Sequence, residues 1–345
     1  MTSSSQAAGA GADNPGPGGE ADLSSTRVAK DGEPAGRSPG QLMWMRFKRD
    51  RTGMISACVV LAFFLIAALA PVISWLYGKD PYTRYGQNNP ELLNDNSYPV
   101  KPNGGIDSEF WFGLEPGLGR DVFTQLIYGI RTSLSLALVV TLLSVLTAIV
   151  IGVAGGYFGG KVDYFLGRFT DLMMSFPNQL FFVAFTPVVA ALLVDPRDEM
   201  PTWLRSCVII YVMWLLGWMT LARLLRGQTL SLREREFIEA ARVAGTPPGR
   251  IVRKELLPNL VTPILVQATY MLPNNVTAIA GLSFLGVGLL EPTPDWGRMF
   301  AKGAEVYQSD ITYMSFPGGA MVIFILAFNL LGDSVRDAFD PKSGR

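Results

Sequence analysis

The sequence contains no histidine. That absence removes the commonest general base and the commonest transition-metal ligand, and with them His-dependent triads and HExxH zinc sites. Cysteine is almost as scarce. Cys58 and Cys207 each fall inside an apolar run, where a small buried hydrophobe is expected in preference to half of a disulfide or metal pair. Charge is sparse too, at 17% of 345 residues, and it cancels, with 29 Lys+Arg against 29 Asp+Glu. A neutral chain projects no global basic field toward nucleic acid, so the meaning of its charge lies in placement. No cofactor and no metal site are expected.

What is present is apolar material. Hydrophobic residues make up 49% of the chain and mean hydropathy is +0.27, more than a soluble domain of this length needs to bury. Residues 54–77 run without charge for longer than the roughly 20 residues that cross a ~30 Å hydrocarbon core. Comparable runs at about 132–157, 172–194, 204–222, 261–281 and 314–332 give an expectation of six transmembrane helices. The fifth belongs to a stretch free of charge from Leu256 to Leu290, too long for one crossing. Its span is therefore placed at 261–281, and "LSFLGVGLLEPTPDWG" (282–297) is read as a broken or partly re-entrant element whose backbone must be satisfied by protein or water.

Residues 1–41, rich in Gly, Pro, Ser and Ala, are expected to be a disordered cytoplasmic tail and not a secretory signal. Residues 42–131 then hold the first transmembrane helix and a long extracytoplasmic loop, and 132–345 the core transmembrane domain, with a cytoplasmic loop at 223–260. With the N-terminus inside, inner segments from Arg46 onward carry 17 basic residues against 9 in the outer ones, which places both termini in the cytoplasm. The eight basic and four acidic residues between Arg223 and Glu255 would each cost about 2.5–3.5 kcal/mol at mid-bilayer, so that loop stays out of the membrane.

Inside the loop, "EFIEAARVAGTPPGRIVRKELLPN" (236–259) reads as two short helices specified by their ends. Ser231 to Glu234 fits a capping box, and Gly245 is placed to end the first helix. Thr246 as N-cap and Pro247 in the first turn open the second, and Pro258 restarts the chain into the membrane. Phe237, Ala240, Ala241 and Ala244 share one face, while Arg235, Glu239 and Arg242 line another. Two readings fit this pattern. It is a surface helix whose charges are solvated, or a docking face where small side chains allow close approach and Glu239 pairs with a partner's cation.

The run "EAARVAG" (239–245), followed by thirteen residues ending at Pro258, resembles the EAA loop of bacterial ABC importer permeases. The match covers Glu239, Ala240, Ala241, Gly245, Leu257 and Pro258; Glu255 departs from it, standing where members usually carry an apolar residue or histidine. The resemblance is strongest to the second permease subunit of dipeptide, oligopeptide and nickel importers. "MRFKRDRTGM" (45–54), "GLGRDVFTQLIYGIRTSL" (117–134), "GGYFGGKVDYFLGRFTDLMMSFP" (155–177), "LSFLGVGLLEPTPDWG" and "LAFNLLGDSVRDAFDP" (326–341) carry it further, whereas the tail and residues 78–116 lie outside it.

The resemblance implies an all-α membrane protein with an ABC importer type I transmembrane domain, resident in the bacterial plasma membrane. It implies a pore-forming, non-catalytic subunit that pairs with a homologous permease, two cytoplasmic ABC ATPases and an extracytoplasmic solute-binding protein. Arg235, Phe237, Glu239, Ala240, Ala241, Arg242, Gly245, Leu257 and Pro258 would dock on the ATPase, whose closure would rock the spans between inward and outward openings. Peptides are the implied cargo, with nickel or another small solute as the alternative. An ATP-independent channel would not explain the hairpin. An intramembrane enzyme would need an acid, base or nucleophile cluster, and no Asp, Glu, Lys or His lies in the core of a span.

Other signals have plainer readings. The run GGYFGGK (155–161) mimics a P-loop, but Val162 stands where a magnesium-binding hydroxyl belongs, so a close-approach turn is expected. Asn275-Val-Thr277 matches a glycosylation sequon inside a span, by chance. Asn274, Asn275, Thr277 and Asn329 either bond between helices or line a translocation path. Arg120 and Asp121 read as a helix cap or an outer gate, and Asp333, Arg336 and Asp337 as a local ion-pair cluster or an ATPase contact.

Overall fold

The computed structural model describes residues 39–87, 89–195, 197–198 and 200–339. The expected tail therefore lies outside the described residues except for its last three positions, which are helical. The chain divides into Met1–Leu42 and Met43–Arg345, and the bundle described below belongs to the second unit. Among the described residues the regular structure is helical, with isolated β-bridges such as Leu114 to Asp121 confined to the long loop.

A short helix α1 (Pro39–Arg49) ends at Asp50, whose carboxylate caps α2 (Arg51–Tyr77) by accepting from the Thr52 N–H at 3.0 Å. Gly78, at φ 76°, closes α2. After a folded loop that includes the single turn α3 (Pro102–Gly105), Asp121 caps the 37-residue α4 (Val122–Phe158), accepting from the Thr124 N–H at 2.7 Å. Asp121 is thus a helix cap. Helix α4 begins ten residues before the apolar run, because its first turns are buried under the loop and not in lipid.

The expected third span at 172–194 is not one helix. The chain forms α5 (Gly160–Met174) and α6 (Asn178–Leu193), bent by 84° at Ser175–Pro177. Pro177 disfavours helical geometry in the residue before it, which explains the break. Helices α7 (Thr202–Gly217) and α8 (Met219–Leu232) meet at Trp218 in one long span. Then follow α9 (Glu236–Val243), α10 (Pro248–Ile251), α11 (Leu257–Phe284), α12 (Trp296–Val306) and α13 (Ile311–Phe339).

Among the described residues, four helices or helix runs and the bent pair are long and apolar enough to cross a bilayer. The fifth expected span, 261–281, lies within α11, whose 28 residues suffice in length. Its apolar character is diluted by Pro263, Gln267, Pro273, Asn274 and Asn275. The break expected after it is present, and its backbone is paired: Val287 and Gly288 N–H donate to Leu282 O at 3.0 Å, and Gly286 N–H to Ser283 O at 3.1 Å.

Small residues set the tightest packing. A Cβ on Gly152 would fall 2.5 Å from Ala222 O, and one on Gly156 would fall 2.6 Å from Thr229 Cβ, so α4 and α8 approach backbone to backbone. The expected turn at 155–161 narrows accordingly: residues 155–158 stay helical, and the chain turns at Gly159 and Gly160, both with positive φ. Midway along α2 and α13, Phe63 and Phe324 meet Trp296 at the start of α12, edge to face, which joins the three helices. Cys58 and Cys207 are free and exposed, not buried; in a bilayer the outer faces of their helices meet lipid or a partner in place of the protein core.

Candidate functional site

The 223–260 segment opens inside helix α8, which continues to Leu232 because Leu225 and Thr229 are buried against α4. The capping box expected at Ser231 consequently does not form. Helix α9 begins at Glu236 with Arg235 in the N-cap position and no side-chain cap. Its C-terminus follows the sequence. Gly245 takes φ 75°, its N–H donates to Arg242 O at 2.9 Å, and the Thr246 N–H donates to Ala241 O at 3.0 Å. These are the paired bonds of a Schellman ending, which a residue with a Cβ would strain.

The second helix differs from expectation. Pro247, and not Thr246, is the N-cap, with Pro248 first in α10. Pro258 does not restart the chain. Val252–Leu256 form a π-helical turn that runs directly from α10 into α11, with the Leu257 N–H bonded to Val252 O. A proline in a helix lacks the N–H and crowds the carbonyl four residues back, and the wider turn just before Pro258 accommodates it. Leu257 and Pro258 thus lie within continuous helix, half-buried and exposed respectively.

Helix α9 is anchored by a residue outside the expected face. Ile238 is fully buried in a cluster with Tyr157 at the end of α4, Ile251 and Leu256. The Arg242 guanidinium lies 5.3 Å from the centroid of the Tyr157 ring, a cation–π distance, and Arg233 Nη1 donates to Gly156 O at 3.2 Å. Of the residues the sequence selects, Ala241 is half-buried toward this cluster. Arg235, Phe237, Glu239, Ala240, Arg242 and Ala244 stay exposed. Val243, unremarked in the sequence, is 85% exposed. Ile238 could have been found as the one branched aliphatic residue three positions before the half-buried Ala241, but its partner Tyr157 is distant in sequence. Glu236 and Glu239 in the first turn and Arg242 in the last complement the helix dipole.

Beside α9, ion pairs join α5 to α8: Arg226 to Asp163, and Arg223 to Asp171 at 2.6 Å. In the spans, Asn275 Nδ2 donates to Thr141 Oγ1 at 2.9 Å, tying α11 to α4. Thr277 donates to its own helix at Pro273 O, Asn274 is exposed, and Asn329 is half-buried. Asp333 accepts from the Tyr270 hydroxyl at 2.5 Å, a bond from α13 to α11 that the expected local cluster did not include.

At the end opposite α9, Arg120 is buried and shared by Glu115, at 2.5 and 2.9 Å, and Glu291, at 2.7 and 3.1 Å. Arg298 also pairs with Glu291. Burial, then the nearby Arg120 charge, push the Arg298 guanidinium down to about 10. Asp295, wholly buried, caps α12 and accepts from Ser133 Oγ at 2.9 Å; burial pushes its carboxyl above the usual range.

Comparison with known proteins places this architecture. Residues 148–345 match the model of the binding-protein-dependent transport system inner membrane component, and residues 38–99 match the N-terminal TM domain of oligopeptide transport permease C. The second match reaches into the long loop that the sequence resemblance left out. The dipeptide transport system permease protein DppC of Alkalihalophilus pseudofirmus is 31% identical, over 88% of this chain and 90% of its own. The oligopeptide transport system permease protein OppC of Bacillus subtilis is 30% identical, over 86% and 88%. DppC of Haemophilus influenzae is 32% identical, over 89% and 96%. An inward-facing structure of the MetNI methionine ABC transporter aligns with a TM-score of 0.49 at 20% identity, over 63% of this chain and 96% of that one. With a family model over more than half its length and full-length relatives of this similarity, the chain belongs to the binding-protein-dependent transport system inner membrane components, as a multi-pass permease of an ABC importer.

Proposed function

We propose that this permease moves dipeptides or oligopeptides as one half of a heterodimeric pore, driven by two cytoplasmic ATPases and fed by an extracytoplasmic solute-binding protein. Both termini lie in the cytoplasm in this reading, which the distribution of basic residues supports. The peptide cargo is supported by the dipeptide and oligopeptide permeases to which the chain is similar.

The observation that supports coupling is the mounting of α9. Its inner side is held to α4 through Ile238 and Arg242, its outer side presents Phe237, Glu239 and the 85% exposed Val243, and after the short turn at 244–247 the chain runs from α10 into α11 as continuous helix. Exposed apolar side chains beside a carboxylate are what a protein partner would cover. Load applied to α9 would reach α4 through Tyr157 and the start of α11 through Ile251 and Leu256, by side-chain packing across the short turn.

The test is co-purification of the ATPases with Glu239→Lys and Gly245→Glu variants. Both are expected to insert in the membrane normally and to lose the ATPases, the first through charge reversal and the second through strain at φ 75° as well. Recovery of ATPase at the wild-type yield would refute the docking role.

A further inference from the structure

A cavity of about 520 Å³ opens between the end of α6, the start of α7 and the segment after α11. That volume is within the roughly 300–1,000 Å³ of small-ligand sites. Apolar residues such as Ala190 and Leu289 form much of its wall, and one cation, Arg205, and three carboxylates, Asp195, Asp198 and Glu291, line part of the rest. Glu291 is already engaged by Arg120 and Arg298. The others are not in contact with one another. Among the described residues Arg205 has no ion-pair partner, its Nη1 is buried without any acceptor, and no cation pairs with Asp195 or Asp198.

Asp195 and Asp198 are exposed to solvent, so the unfavourable group in the cavity is Arg205. A buried guanidinium nitrogen without an acceptor is costly, and Arg205 sits in the first turn of α7, where the helix dipole disfavours a cation. Opposite charges that share one cavity without touching are complementary to a ligand that carries both signs at its ends. A peptide with free termini is such a ligand, and a planar guanidinium is suited to holding a carboxylate by two parallel bonds. We propose that this cavity binds the termini of a short peptide, its carboxylate at Arg205 and its ammonium at Asp195 and Asp198. The inference rests on the peptide cargo proposed above, and it places recognition of peptide ends in the permease itself.

The test uses the assembled transporter in lipid, without the solute-binding protein, titrated with dialanine and with dialanine C-terminal amide. The wild type is expected to bind dialanine about tenfold more tightly than the amide, a ratio in keeping with one charge-assisted contact. Arg205→Gln should bring the two ligands to equal affinity by weakening dialanine alone, and Arg205→Lys should keep part of the difference. Equal binding of both ligands by the wild type, retained discrimination in Arg205→Gln, or an equal loss for both ligands would overturn the proposal. Uptake assays with the binding protein present separate this from the cargo reading: no peptide uptake by the wild type defeats the cargo, whereas uptake with discrimination indifferent to Arg205 defeats only the cavity.

Discussion

The Arg242 guanidinium of α9 rests 5.3 Å from the centre of the Tyr157 ring, on the last turn of α4. A residue that the sequence places on a docking face therefore also fastens that face to the bundle. Desolvated cation–π contacts are worth about 2 kcal/mol and exposed ones about 0.5–1, and Arg242, being exposed, falls in the weaker class. The apolar cluster under it must supply most of the hold.

Ile238→Ala tests that division. Truncation of a fully buried isoleucine costs about 2–5 kcal/mol, and the short α9 has no other buried side chain to compensate. Hydrogen exchange should accelerate across residues 236–251 while α4 and α8 stay protected. Transport driven by ATP should fall even where the ATPases still co-purify. Unchanged protection of α9 would show that Arg242 and the helix ends suffice.

The hairpin also shows what a sequence discloses. The Gly245 ending was legible, because only glycine adopts that conformation without strain and the bonds it makes are local. The start of α9 was not. Ser231 has the chemistry of a cap, but the burial of Leu225 and Thr229 against Gly152 and Gly156 keeps the chain helical past it. Pro258 misleads similarly, since a π turn absorbs what its ring would otherwise break. The Arg120 cluster could not be read at all, as Arg120 and Glu291 are separated by 171 positions.

Gly156→Leu addresses the α4 and α8 contact. Its first side-chain carbon alone would meet Thr229 Cβ at 2.6 Å and Arg226 O at 2.8 Å, neither of which can yield without moving backbone. Overpacking of this kind costs about 1–3 kcal/mol or more. The variant should melt at lower temperature in detergent and lose the Arg226 to Asp163 pairing nearby. Gly167→Ala, where a Cβ meets nothing within 4 Å, should be silent in the same assay.

The Arg120 cluster predicts an asymmetry. Removing the cation by Arg120→Ala leaves Glu115, itself buried, without its partner, and breaking a buried pair costs about 3–5 kcal/mol. Glu291→Gln removes one of two carboxylates from Arg120, which keeps Glu115, and the only ion-pair partner of Arg298 among the described residues, but the Glu291 side chain is half exposed and its amide oxygen can still accept from both guanidinium groups. Thermal unfolding should therefore rank Arg120→Ala well below Glu291→Gln. Equal losses would mean that Glu115 contributes little to holding the guanidinium.

Asp295 gives the long-loop end a pH dependence of definite sign. Its carboxyl is raised by burial, so the folded state holds the proton to higher pH than the unfolded chain does. The associated stability is fully present below the unfolded value of about 4 and is lost as pH rises through the raised folded value. Asp295→Asn cannot ionise; its one amide oxygen keeps either the Ser133 or the Arg298 N–H bond and loses the other, which lowers stability by an amount that does not depend on pH. Melting temperatures from acid to neutral pH should fall in the wild type by an increment that the variant lacks. Identical slopes would place the pH response elsewhere.

Asn274 and Asn275 are adjacent in α11, yet helical geometry turns them about 100° apart, and their surroundings differ. Asn275 donates to Thr141 of α4, whereas Asn274 is exposed. A polar bond between membrane helices is worth about 0.6 kcal/mol on average and up to roughly 1.7. Asn275→Leu should therefore lower stability modestly and leave the transport rate per folded molecule unchanged. Asn274→Leu removes no bond between helices, so stability should hold, and a loss of uptake would assign its side chain to the translocation path. If Asn275→Leu instead abolished uptake at full stability, the assignment of the two residues would have to be exchanged.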